Sequence, residues 1–287
     1  MYVKKLDEFY GVTVYALYPN QFMLEGSRGL GRQSYVSSLA KWLVMGILSS
    51  QSLFKILTLS RLLLLPEIKY GSGLKGPTSS LSARTLDDLA LCRARAFYTI
   101  HKEVFSPREV LDMEESKKLG KDFVSSLKHE FSTQSNLNKA LNTIMLFREE
   151  ERYQLLYEGL SGYITCKPDA TLILMLRNGL LRVLVVEVAE TDVIAVLSSK
   201  HIIPRLVLYM SAIYLHYGIP PAGLYVSLSP ASEPPALLFL PRGRVSKRLI
   251  SMLEEVKNLI KLERPPLPGK KITCSHCVYL HKCQYRE

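Results

Sequence analysis

One stretch constrains this chain more than any other: DATLILMLRNGLLRVLVVEVAE, residues 169–190. Asn178-Gly179 between two apolar runs is a strong hairpin signal. Two registers are open. A two-residue loop at 178 and 179 sets Asp169 opposite Val188 and Glu187 opposite Ala170, so the acids point to opposite faces. A three-residue loop, 177–179, with Gly179 left-handed as a bulge, sets Asp169 directly opposite Glu187, with Cβ atoms about 5 Å apart. Gly179 suits the second. Two facing carboxylates on apolar strands are costly without a cation. A hard divalent ion, Mg²⁺ or Mn²⁺, would supply it. The plainer alternative leaves Asp169 in water at a loop end and pairs Glu187 with a nearby base.

The flanking segments extend the pattern. SSKHIIPRLVLYMSAIYLHYG (198–218) reads as a serine-capped helix ending at glycine. GLYVSLSP (223–230) and PALLFLP (235–241) read as strands, and RVSKRLISMLEEVKNLIKLE (244–263) as an amphipathic helix. The order is β-β-α-β-β-α, an α/β core over residues 161–263 with a helix packed on a mixed sheet. Residues 81–160 read as helices around Cys92, over 107–131 and over 136–157. In the first of these, Thr85 caps the helix and Asp87 and Asp88 suit its first turn. Residues 1–80 form an N-terminal extension, mostly helical where periodic. It closes in the Gly/Pro/Ser-rich loop 69–80. The apolar tract 42–65 is broken by Gln51, Lys55 and Arg61. It is too interrupted for a membrane span and reads as buried helices. No apolar signal segment follows Lys4 and Lys5, so the expected compartment is the cytoplasm, with no membrane partner.

Net charge is +11, which favours a polyanionic partner, nucleic acid first and a membrane surface second. Residues 242–287 hold eleven Lys and Arg against four Asp and Glu, a net +7. That basic tail, after the break at PPLPG (265–269), carries Cys274, Cys277 and Cys283 in CSHCVYLHKC. Three thiols in one short loop need a fourth ligand to complete a metal site. Cys92, Cys166, His276 and His281 are the candidates. The spacing suits zinc and an iron–sulfur centre alike. Lone Cys166 reads better as an inert apolar residue. Arg93 and Arg95 flank Cys92 and would stabilise a thiolate. A ligand at Cys92 would clasp roughly 190 residues of chain.

Several motifs coincide in order. Pro168-Asp169 precedes a strand, VVEVA (185–189) is the next strand, and a helix carries RLVLY (205–209). The C-x2-C-x5-C triplet closes the chain, with a lone cysteine far upstream in CRARAFY (92–98). Over roughly residues 82–287 this resembles the RecB-like nucleases of the PD-(D/E)XK superfamily that carry an iron–sulfur cluster. It is most similar to the fourth CRISPR-associated (Cas) protein family in its divergent archaeal branch. The resemblance implies a restriction-endonuclease-like mixed sheet flanked by helices, with a helical N-terminal part and a C-terminal cluster loop over 264–287. It implies a [4Fe–4S] cluster on Cys92, Cys274, Cys277 and Cys283. It implies a catalytic Mg²⁺ or Mn²⁺ on Asp169, Glu187 and the carbonyl of Val188, with an upstream helical histidine. His129 is the best placed, and His101 the alternative. The implied reaction is hydrolysis of DNA phosphodiesters, in the setting of trimming spacer DNA for the CRISPR integrase and its adaptation partners.

Two departures bear on catalysis. The motif wants Glu-x-Lys, and the chain reads Glu187-Val188-Ala189. Lys200 is the first candidate for a migrated lysine and Lys167 the second. The helix motif wants Gln-x3-Tyr, and Arg205 stands four residues before Tyr209. The two share a helix face, which preserves a phosphate-facing role. A catalytically degenerate DNA-binding or scaffold subunit is therefore the alternative to an active nuclease. A zinc protein unrelated to nucleases is a third, weaker reading. Lys270, Lys271 and Lys282 are the expected DNA contacts beside the cluster.

Overall fold

The computed structural model describes residues 1–19, 31–63, 67–71, 79–101, 107–134, 140–158, 160, 162–244, 247–268, 274 and 277–285. Its elements, in chain order, begin with β1 (Tyr2–Phe9), β2 (Val12–Tyr18), α1 (Arg32–Ser49), α2 (Gln51–Thr58), β3 (Arg61–Leu63), β4 (Ile68–Tyr70) and β5 (Ser79–Ser82). Then come α3 (Thr85–Leu91), α4 (Arg93–Ile100), α5 (Pro107–Gln134), β6 (Asn142–Glu149), β7 (Tyr153–Tyr157) and β8 (Gly162–Cys166). The chain continues through β9 (Ala170–Leu176), β10 (Leu181–Ala189), α6 (Val193–Ser199), α7 (Ile202–Tyr217), β11 (Pro221–Ser227), β12 (Ala236–Arg244) and α8 (Lys247–Ile260).

The hairpin of β9 and β10 adopts the three-residue option. Leu181 pairs with Met175 and Val186 with Ala170. The Leu176 N–H donates to Leu180 O at 2.8 Å, closing the loop over 177–179. Gly179 has φ +79° and donates its N–H to Leu176 O at 2.8 Å. One step further along this register brings Asp169 opposite Glu187.

The main sheet has eight strands in the order β1-β2-β12-β11-β10-β9-β6, with β3 also pairing β12. Most pairs are antiparallel. The β10–β11 pair is parallel, as a crossover through α6 and α7 requires. A second, four-stranded sheet runs β4-β7-β8-β5. Side chains of β10 alternate between two cores. Val183 and Val185 join a cluster with Leu206, Met210, Leu249 and Leu253 of α7 and α8, and with Leu155 and Ile164 of the smaller sheet. Leu184 and Val186 join the opposite cluster, with Trp42 and Leu43 of α1, Leu57 of α2, and Phe123 and Leu127 of α5. The sheet is thus covered on both faces, and each fully buried aliphatic side chain contributes about 1.5–3 kcal/mol. Buried Arg182 ties the layers together. Its guanidinium donates to the carbonyls of Leu57 at 2.8 Å and Thr58 at 3.0 Å, capping the C-terminus of α2 with positive charge.

Two expectations are corrected. Residues 1–80 are not mostly helical. β1 and β2 form a hairpin that enters the main sheet through β2 and β12, and among the described residues of this part helix is confined to α1 and α2. The cause is a bulge between Lys5 and Asp7. It places the half-buried Val3, Leu6 and Phe9 three residues apart, a spacing that imitates a helix. Residues 136–157 are likewise not a helix. They contain β6 and β7, and a second bulge, between Ile144 and Leu146, breaks the alternation of β6 and leaves Met145 exposed. Among the described residues no single helix is long and apolar enough to cross a membrane. The α6–α7 pair passes by composition but is bent by 90°, with most of α7 buried in the protein.

The register carries a prediction. A Cβ at Gly179 would meet no atom within 4 Å, so the cost of adding one lies in the backbone alone. Gly179→Ala should lower stability by about 1–2 kcal/mol, and Gly179→Asn by less, because asparagine tolerates the left-handed region. Urea unfolding midpoints check this, and equal midpoints for Ala and Gly would contradict it.

Candidate active site and cysteine centre

Asp169 immediately precedes β9, and Glu187 lies near the end of β10. Both are on the sheet face that carries Val183 and Val185. The backbone N–H of Val188 donates to Asp169 Oδ2 at 2.7 Å, fixing that carboxylate against the neighbouring strand. Glu187 is 7% exposed. Its Oε1 stands 2.8 Å from Nη2 of Arg205, which α7 brings across the same face. The same guanidinium meets a third acid. Nε of Arg205 lies 3.0 Å from Oδ2 of Asp87 in the first turn of α3, out of line for a hydrogen bond, so the contact is ionic. Two carboxylates thus pair with one buried guanidinium, whose charge also lowers the nearby Asp169.

The electrostatics follow. Burial raises Glu187 to about 8; Arg205 opposes the shift, and Asp169 and Asp87 add to it. Burial raises Asp87 to about 7, with Arg205 opposing and Asp88 adding. Asp169 is also raised by burial, against the Val188 N–H, Arg205 and Lys167. Burial alone would lower Arg205, but Asp87 and Glu187 outweigh it and hold the guanidinium charged. One oxygen on each paired acid, Asp87 Oδ1 and Glu187 Oε2, is buried without a hydrogen-bond partner.

The next residue of α3 serves a second centre. Asp88 accepts from Nε of Arg95 at 2.5 Å and from Thr99 Oγ1 at 2.7 Å. Arg95 lines a cavity shared with Cys92, Cys274, Cys277, Cys283 and Pro268. Cys92 is the extended residue at the break between α3 and α4, which turns its thiol out of both helices. The tail folds over it in tight turns, with Cys277 N–H to Cys274 O at 3.0 Å and Cys283 N–H to Tyr279 O at 2.9 Å. Tyr279 is buried against Tyr98, with ring centroids 5.4 Å apart, and Tyr98 donates to the carbonyl of Lys282 at 3.2 Å. The four thiols are free. Burial raises the Cys277 thiol; Arg95 lowers it, and Cys92 and Cys283 raise it as like-charged neighbours. Four thiols converging on a cavity with one arginine form a donor set that fits a tetra-thiolate metal centre. Among the described residues, however, no three His, Cys, Asp or Glu side chains stand as a group able to hold a metal ion.

Other expected site residues fall elsewhere. His129 is exposed on α5, whose buried residues Phe123, Val124, Leu127 and Phe131 pack on the opposite face of the sheet from Glu187. His101 caps α4 and stacks on Phe97 at 4.2 Å. Neither histidine joins the acids. Lys200 caps α6 with φ 56°, and its ammonium lies 3.8 Å above the ring of Phe9. Lys167 pairs with Glu150 at 2.7 Å and is near enough to lower Asp169, so it is the nearer of the two lysines to the acids. Arg205 and Tyr209 share a face of α7 as expected, but both are buried, because the acids draw Arg205 inward. Cys166 is fully buried in the core, where desolvation pushes its thiol up, and it does not line the cavity. Lys282 and His281 are exposed in the tail. Lys270, Lys271 and His276 lie outside the described residues. Arg95 lines the cysteine cavity as its place beside Cys92 suggested, whereas Asp87 and Asp88 were read only as helix-start residues and not as site residues. The one signal for them was two adjacent acids close before Cys92.

His201, between the two centres, gives a pH test. Burial lowers it from 6.5 to about 4, helped by Arg205 and Arg95 and opposed by Asp88. Between pH 6.5 and 4 the unfolded chain therefore holds the extra proton, and acidification favours unfolding. Wild type should lose melting temperature relative to His201→Gln as pH falls through this window. The difference should be constant above about pH 7. A difference that does not change with pH would contradict the assignment.

No family model matches the sequence, and no curated protein matches it. A solved structure, "Crystal structure of SSO0001", superposes with a TM-score of 0.44 at 16% identity, covering 75% of this chain and 90% of that one. A likeness at that level carries no argument about this chain.

Proposed function

We propose that this protein is a metal-dependent DNA nuclease of the RecB-like PD-(D/E)XK type, with its four converging cysteines holding a [4Fe–4S] cluster. The observation that carries the reading is the charge balance at the sheet. Glu187 and Asp87 pair with one buried guanidinium, Asp169 lies within the reach of its charge, and a hard divalent cation would offset the excess of acids. The order of three of the motifs along the fold supports the reading. Asp169 opens β9, Glu187 lies on β10, Arg205 and Tyr209 are on the crossover helix α7, and β11 runs parallel to β10.

In this reading Asp169 and Glu187 bind Mg²⁺ or Mn²⁺, and the Val188 N–H orients Asp169. Such an ion, held by these two carboxylates, would supply Lewis-acid activation of water and stabilisation of negative charge at the phosphate. Arg205 pairs with Glu187 and offsets part of its charge. The contacts of Arg205 are taken by Glu187 and Asp87, so orienting the attacking water would fall to Lys167 once it is released from Glu150. The basic tail attracts the DNA. Cys92, Cys274, Cys277 and Cys283 would hold the cluster, whose part is to clasp the tail to α4. The role in trimming spacer DNA for a CRISPR integrase rests on the motif resemblance.

A second reading, a degenerate DNA-binding or scaffold subunit, is favoured by one observation. Ala189 replaces the motif lysine, and Lys200 and Lys167 are engaged with Phe9 and Glu150. Incubation with DNA and Mn²⁺ separates the two. The nuclease reading expects cleavage that falls at least about 100-fold in Asp169→Ala and Lys167→Ala. Salt-sensitive binding without cleavage would establish the second reading.

For the cysteine centre, protein purified without oxygen should be brown and contain about four iron and four sulfide per chain. Cys277→Ser should lose the colour and most of the iron. Colourless protein with zinc would replace the cluster by a zinc site.

A further inference from the structure

Asp87 is the acid that no sequence motif marks. It sits in the first turn of a seven-residue helix, is 5% exposed, and shares Arg205 with Glu187 across the sheet face. A buried aspartate whose only task was to pin Arg205 would gain most by meeting the guanidinium with both oxygens. Here Asp87 offers Oδ2 and leaves Oδ1 buried without a hydrogen-bond partner, and Glu187 does the same with Oε2. Two orphaned carboxylate oxygens beside one cation are a donor set short of its acceptor. Other charges do not contact these oxygens: Arg84 lowers both acids through its charge but is exposed, Arg95 is bonded to Asp88, and Lys167 to Glu150.

We propose that Asp87 is the third carboxylate of the acidic site and that, with Asp169 and Glu187, it binds one hard divalent cation, for which Arg205 is the built-in competitor. The inference rests on the metal-dependent reading above and adds to it a ligand from α3 and a gate from α7. Among the described residues no three His, Cys, Asp or Glu side chains stand close enough to hold a metal ion, and Arg205 lies between Asp87 and Glu187, so the three acids could close on a cation only once the guanidinium has left. Entry of the cation requires the guanidinium to leave both acids. It also ties the two centres, since Asp87 and Asp88 are adjacent on α3. The clasp at Cys92 would fix the helix that delivers the third ligand.

The test is Mn²⁺ binding by the full-length protein, with free Mn²⁺ counted by electron paramagnetic resonance. Asp87→Asn should weaken binding at least about tenfold with cooperative melting kept. Arg205→Gln should tighten it several-fold by removing the competitor, an effect that a merely structural arginine would not produce. Removing one partner of a buried pair can itself unfold a protein, whereas removing both is better tolerated. The double variant Asp87→Asn/Arg205→Gln is therefore compared with Arg205→Gln, and a tenfold loss between those two supports the assignment even if Asp87→Asn does not fold. If both comparisons at Asp87 leave the affinity within twofold while Asp169→Ala abolishes binding, Asp87 only pins Arg205: the inference is wrong and the nuclease reading stands. If Arg205→Gln weakens binding, the competitor role is wrong. If the wild type binds no Mn²⁺, the inference falls together with the metal-dependent reading.

Discussion

A single buried guanidinium holds three parts of this molecule in one arrangement. Arg205 reaches from α7 to Glu187 on β10 and to Asp87 on α3, and all three side chains are buried. Taking such a charge out of water costs several kcal/mol, recovered only while its acidic partners stay in place. The position of α3 against the sheet and the crossing of α7 over it are thereby set by electrostatics as well as by apolar packing. Glu187 and Asp87 compete for this one guanidinium, and burial raises both acids despite it.

The cysteine centre and the acidic site are neighbours because of helix geometry. Adjacent residues on a helix point about 100° apart. Asp87 therefore turns to Arg205 while Asp88 turns to Arg95, Thr99 and, through Thr99, to Tyr279 of the tail. A thiol centre that draws the tail onto α4 steadies α3, and α3 presents its first acid to the sheet. His201, lowered by Arg205 and Arg95 and raised by Asp88, feels both halves of this link.

Where the sequence could be read and where it could not follows from the range of the forces involved. The pairing of Asp169 with Glu187 was legible because Gly179 fixes the turn, and the turn fixes the register. That Cys166 is an apolar core residue was legible from its neighbours, whereas the grouping of Cys92 with the tail triplet came from the motif resemblance, the residues alone leaving His276 and His281 open as well. β1 and β6 were not, because a bulge in each shifts its half-buried residues off the two-residue period. His129 was placed on the right element and the wrong side. A helix sequence shows which residues face inward, not which face of a sheet receives them.

The sequence by itself determined the local features: the β9–β10 turn, the α7 helix ended by Gly218, and the cysteine spacing. Each depends on residues within one or two turns of chain, where backbone conformation and short-range bonding decide. Only the tertiary structure decided that Asp87 meets Arg205, that Lys200 goes to Phe9, and that β1 and β2 join the main sheet. These contacts join residues far apart in the chain. Coulomb attraction and burial act through space, so the partners become identifiable only once the fold has brought them within a few ångströms.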